Sequence, residues 1–302
     1  ASLGQAHRGK LSSGLAADLG FEDVIVKVLR PGIEQVVEVD LKAIRKIGGW
    51  LSRVKLVSRR ADAPALVEEF AETSLQEIDY RIEAKYLERF AADFADDEWV
   101  GTPSVIWERS AQKVLVLSDV TAIKISDVEQ LTAAGLDPNA VAAELARVTF
   151  QQMFVNGFFH ADPHPGNIFV EPQPENASVP FKLVFIDFGM MGFVPDELRI
   201  ELQRLLFSLV SRDARSYVQS IQRLGVLLPS ADTVQLESAV SQLFNRFAGM
   251  AVSDLTKTDP REIREFAVKF SEILRTLPFQ MPENFRSEER RVGKECLRLC
   301  RS

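Results

Sequence analysis

HADPHPGN at residues 160–167, followed after a polar turn by LVFIDFG at residues 183–189, is the stretch on which the reading of this chain turns. Pro163 and Pro165 deny a helix and fix a rigid loop, so Asp162 and Asn167 can face one cavity although five residues separate them. Apolar runs at 168–170 and 182–186 flank the turn EPQPENASVP as a hairpin, which delivers Asp187-Phe188-Gly189 at its far end. Two acids and an amide held by backbone-fixed loops suit a hard cation such as magnesium, which takes oxygen ligands. A zinc site on His160 and His164 fails for want of cysteines and of a third convincing histidine, and His160 reads instead as a buried orienting residue. The layout is that of a metal-nucleotide phosphotransfer site.

Upstream, VIVKVL at 24–29 is a strand rich in Val and Ile that ends at Pro31-Gly32, with Lys27 in its middle. A strand lysine ordinarily faces solvent. This one follows a small-residue turn, ASLGQ at 1–5, and so occupies the position of a nucleotide-binding lysine in kinase-like folds. The turn lacks a GxGxxG pattern and is a weak signal by itself. Residues 12–23 read as a polar turn. Residues 33–57 set Val36, Val37, Leu41, Ile44, Ile47 and Leu51 at helical spacing, and 64–93 form a second helical stretch dense in acids. Most of those carboxylates face solvent. Glu77 and Glu83 are the two singled out to reach inward and pair with Lys27, and spacing alone does not choose between them.

Residues 102–107 and 113–120 read as a strand pair, and 127–134 and 139–156 as helices, the second introduced by Asp137-Pro138 and closed by Asn156-Gly157. The region 195–285 is helical throughout, with apolar faces at a spacing of about 3.6 residues.

Composition narrows the class. With 46% hydrophobic and 26% charged residues, the 302-residue chain is ordinary globular material. Its net charge of -7 argues against nucleic-acid binding but not against a metal-nucleotide, since the metal carries positive charge. No apolar run approaches the roughly 18 residues a spanning helix needs. Cysteines occur only at 296 and 300, which excludes a disulfide framework and points to a reducing, cytoplasmic compartment. The last stretch, 286–302, holds six basic residues against three glutamates after an abrupt onset. It reads as translated adapter or vector sequence, and the chain reads as a fragment at both ends.

An isolated DFG or D-x4-N is a weak signal. The ordered set is specific: a strand lysine, an acidic helix, H-x-D-x4-N, then a strand and DFG. On these residues the chain resembles the UbiB family of atypical protein-kinase-like proteins, also called aarF-domain kinases. ASLGQAH resembles the family's alanine-rich nucleotide loop and VIVKVLRPGI its lysine strand. QEIDYRIEA matches its acidic helix, HADPHPGN its catalytic loop and LVFIDFG its metal-binding segment.

The resemblance implies an α+β, bilobal protein-kinase-like fold. A small β-rich N-lobe, truncated at its start, would cover 1–120 and a large helical C-lobe 121–285. It implies that Ala1, Ser2, Leu3, Gly4 and Gln5, with Lys27, contact ATP, and that Glu77 pairs with Lys27. Glu83, in the same motif, would contact the family's N-terminal extension. Asp162 would take the catalytic-base position, and Asn167 and Asp187 would ligate magnesium. The implied role is an ATPase or kinase supporting ubiquinone or related lipid metabolism, with membrane lipid or quinone-biosynthesis proteins as partners at the periphery of the inner membrane. The family's Lys-x-Gly-Gln extension and its membrane-spanning helices are not seen in the sequence. Two rivals remain. A nucleotide-binding regulatory module would bind without turnover, and a small-molecule phosphotransferase would share H-x-D-x4-N without the Pro-rich loop and QEIDYRIEA.

Overall fold

A computed structural model of the chain describes residues 3–52, 63–176, 178–227 and 231–246. Among these, the residues up to Val194 form one compact unit and those from Pro195 onward a second. The boundary expected at 120 therefore falls inside the first unit. The expected tail at 286–302 and the helices expected beyond 246 lie outside the described residues.

The first unit opens with β1 (Gly4–Lys10), α1 (Ser13–Leu19), β2 (Asp23–Leu29) and α2 (Ile33–Leu51). From Gly4 the expected nucleotide turn is already strand, and the expected polar turn at 12–23 contains a helix. That helix is closed by Gly20, whose φ of 81° places it in the left-handed region that favours glycine. The acidic stretch is also two helices, α3 (Ala63–Gln76) and α4 (Tyr80–Asp93). Asp79 divides them: its side chain accepts the Arg81 N–H at 3.0 Å and so caps α4.

Then follow β3 (Val100–Gly101), β4 (Val114–Ser118), β5 (Ile123–Lys124), α5 (Val128–Ala133) and α6 (Pro138–Gln151). The expected partner strand at 102–107 reduces to a single bridge, Val105 to Leu117. Beyond α6 come a π-helical turn at Gln152–Asn156, β6 (Phe158–His160), β7 (Ile168–Pro172), β8 (Phe181–Phe185) and β9 (Met191–Phe193). The expected hairpin is the β7–β8 ladder, which pairs Ile168 with Phe185.

Among the described residues the strands form three sheets, ordered β1-β2-β4, β3-β8-β7-β5 and β6-β9. Because side chains alternate across a strand, β2 has two distinct faces. Val24 and Val26 join Val116 and the α1 residue Leu15 in a small cluster. Leu29, with Leu115 and Leu117 of β4, joins the main core. Lys27 lies opposite Leu115 in the ladder and so points to the main-core side. The same core takes in the inward stripe of α4, namely Tyr80, Ala84, Leu87 and Phe90, and continues through Ile168, Phe185 and Phe188. Phe90 lies 5.1 Å from Phe185 and 5.2 Å from Phe188 between ring centroids, so α4 is seated directly against the hairpin and DFG.

The second unit contains α7 (Asp196–Ser211), α8 (Ala214–Arg223) and α9 (Thr233–Arg246). It has its own apolar cluster around Val218, Leu236, Val240 and Phe244.

Candidate active site

Lys27 is carried on the central strand of the first sheet, where hydrogen bonds on both edges hold the backbone. Its ammonium donates to Glu83 Oε1 at 2.5 Å and to the Ile186 carbonyl at 3.3 Å. The pair is buried, with 18% of the lysine and 8% of the glutamate side chain exposed. The Phe188 N–H approaches the same carboxylate oxygen at 3.5 Å. Glu83 thus links the lysine strand to the DFG segment.

Burial is the largest influence on Lys27 and lowers its pKa. The charges of Glu83 and Asp187, with the hydrogen bond to Glu83, outweigh it and hold the ammonium above its ordinary range. Burial, with the like charge of Asp187, pushes the Glu83 carboxyl up against the pull of Lys27.

Glu77, the residue expected to pair with Lys27, does not meet it. It falls in the turn ahead of the Asp79 cap, half-buried and with no ion pair among the described residues, while Glu83 sits in the first turn of α4 and faces the core. Burial and the charges of Asp187 and Glu83 raise the Glu77 carboxyl. The signal that separates the two acids was available in the sequence: Asp79 ahead of an apolar-periodic run is a helix start.

The hairpin and its preceding loop hold the other expected residues. The Ile186 N–H donates to the Asn167 carbonyl at 3.1 Å, fastening the two segments together. Asp187 accepts the Gly189 N–H on Oδ1 at 3.1 Å and the Asn167 side-chain amide on Oδ2 at 3.3 Å. A carboxylate can only accept, so the amide nitrogen of Asn167 faces it and the amide oxygen is left for another partner. Asp162 is exposed. Its backbone is fixed on both sides: its N–H donates to His160 Nδ1 at 3.3 Å, and its carbonyl accepts the His164 N–H at 2.7 Å.

His160 is buried, as its orienting reading requires, and burial lowers its pKa against the opposing charges of Asp187 and Asp162. Of the expected nucleotide contacts, Ala1 and Ser2 lie outside the described residues. Leu3 packs on the main core, Gly4 begins β1 opposite Leu29, and Gln5 is exposed in β1 opposite Val28. Gly4 is required at its position by close approach: a Cβ there would strike the Tyr80 hydroxyl and lie 2.8 Å from the Val28 carbonyl oxygen.

Among the described residues, no group of three or more His, Cys, Asp or Glu could hold a metal by itself. The amide oxygen of Asn167 and the carboxylate of Asp187 make a partial, all-oxygen donor set. That fits magnesium, which binds through one or two carboxylates and completes its shell with phosphate oxygens and water.

A lysine paired to a helix glutamate, beside a loop Asp, an Asn and a DFG Asp, defines a kinase-like protein. The ABC1 atypical kinase-like domain matches residues 1–221, and the chain belongs to that family. It is 34% identical over 249 residues to Arabidopsis thaliana Protein ACTIVITY OF BC1 COMPLEX KINASE 8, chloroplastic, covering 82% of this chain and 31% of that protein. It is 33% identical over 285 residues to Synechocystis protein sll1770, covering 94% of this chain and 46% of that protein. The chain thus spans less than half the length of either relative. Among solved structures, the erythromycin complex of Mycobacterium tuberculosis Rv3197 matches with a TM-score of 0.61 at 23% identity, covering 83% of this chain and 59% of that one. That likeness bears out the kinase-like α+β fold.

No helix among the described residues is long and apolar enough to cross a membrane.

Proposed function

We propose that the chain binds ATP with magnesium and hydrolyses it or transfers its γ-phosphoryl group. The observation that carries this reading is the Lys27 ammonium, bonded at once to Glu83 and to the Ile186 carbonyl next to Asp187. Lys27 would neutralise charge on the nucleotide phosphates, and Glu83 fixes where that charge sits. Asn167 and Asp187 would hold magnesium, which supplies electrostatic stabilisation of the charge on the transferring group. Asp162 would accept the proton of the attacking hydroxyl or orient a water. Catalysis would then rest on positioning and charge neutralisation.

A role in isoprenoid-quinone or related lipid metabolism, at the periphery of a membrane, is the family's implication and part of the same proposal. Phosphate release from ATP, measured with magnesium and with chelator and with and without lipid vesicles, tests it. Magnesium-dependent release that Asp162→Asn abolishes is expected. Nucleotide-dependent thermal stabilisation with no release would favour a binding module without turnover.

A further inference from the structure

We infer that Gln152 is a positioning residue for the HADPHPGN loop, a role that rests on the phosphotransfer reading above. α6 ends at Gln151 and the chain continues as the π-helical turn Gln152–Asn156. Such turns rotate the side chains that follow them out of the helix register and recur at functional sites. Gly157, at a φ of 65°, then reverses the chain into β6, so residues eight apart meet. Gln152 is 2% exposed. A buried amide needs a partner, and Gln152 Oε1 accepts the His160 backbone N–H at 2.8 Å in a buried bond.

The bond reinforces a weak point. Among the described residues β6 pairs only with β9, over three residues, and a two-stranded ladder that short has little stability alone. From His160 the restraint passes on: its Nδ1 accepts the Asp162 N–H at 3.3 Å, and the neighbouring Ala161 N–H donates to the Met190 carbonyl at 3.0 Å. Gln152 makes no hydrogen bond to Lys27, Asn167 or Asp187. Its effect therefore falls on the placement of Asp162 and spares nucleotide binding.

Two variants separate this role from packing. Gln152→Met matches the side chain in length and removes the acceptor, whereas Gln152→Glu keeps an oxygen at that position. Steady-state ATP turnover with magnesium should show kcat of Gln152→Met reduced by roughly 10- to 100-fold, the scale of a catalytic group misplaced by about 1 Å. KM for ATP should stay within about threefold, and Gln152→Glu should recover most of the loss. Amide hydrogen exchange at His160 should accelerate about tenfold or more in Gln152→Met and return in Gln152→Glu, with β7 and β8 unchanged. Wild-type kcat in Gln152→Met, or an equal loss in both variants, overturns the positioning role. A wild-type chain that neither binds nor turns over nucleotide overturns the phosphotransfer reading instead, and His160 exchange then decides whether Gln152 holds the loop.

Discussion

Lys27 and the two glutamates near it behave differently because only one of them meets it. Glu83→Ala would leave a buried ammonium without its carboxylate, and removing one partner of such a pair costs about 3–5 kcal/mol. Chemical denaturation should register that loss. The Lys27 pKa is raised in the fold, so its contribution is complete at neutral pH and fades only as pH rises through that raised value. Glu77 has the opposite consequence. A carboxyl raised in the fold favours the folded state below its ordinary pKa and loses that advantage as pH climbs through the folded value, so ionised Glu77 is a liability at neutral pH. Glu77→Gln should therefore raise the thermal midpoint at pH 7 more than at pH 4; a midpoint lowered at pH 7 would show that Glu77 has a stabilising partner. Lys27, Asp162, Asn167 and Asp187 could be picked out as candidates in the sequence because short motifs fix them. The choice of glutamate could not be read from motif spacing, because it depends on where one helix ends and the next begins, a boundary that the Asp79 helix start marks.

α4 is the element that joins lysine strand, hairpin and DFG, through Glu83 and through Phe90 against Phe185 and Phe188. Its start is set by Asp79, whose carboxylate also holds the Arg81 guanidinium through Nε at 2.9 Å and Nη2 at 2.6 Å. Asp79→Ala should destabilise the chain by about 1 kcal/mol, as loss of a helix cap typically does. Because the cap fixes the turn that presents Glu83, nucleotide affinity should fall with it; thermal unfolding with and without ATP measures both. The main helices and the β7–β8 hairpin could be read from periodicity. α1 was hidden by a run of small and polar residues, although Ser12 before it and Gly20 after it are start and stop signals. β6 and β9, three residues each, are too short for alternation to show, and only tertiary pairing defines them.

At the scale of the molecule, the residues proposed for phosphotransfer, Lys27, Glu83, Asp162, Asn167 and Asp187, all belong to the first compact unit, which ends at Val194. The family match reaches residue 221 and includes α7 and most of α8. The kinase-like class was legible because the order of lysine strand, acidic helix, loop and DFG survives in sequence. The compact-unit boundary was not, because the helices beyond 195 share the same amphipathic spacing as those before it. In the proposed function, Asp187 is the residue through which magnesium would strengthen nucleotide binding. Thermal unfolding with ATP, with and without magnesium, tests this in the wild-type chain and in Asp187→Asn. At ATP about 100-fold above its Kd, binding should stabilise the wild type by about 2.7 kcal/mol. The magnesium-dependent part of that gain should vanish in Asp187→Asn, whereas equal magnesium-dependent stabilisation in both chains would contradict the account.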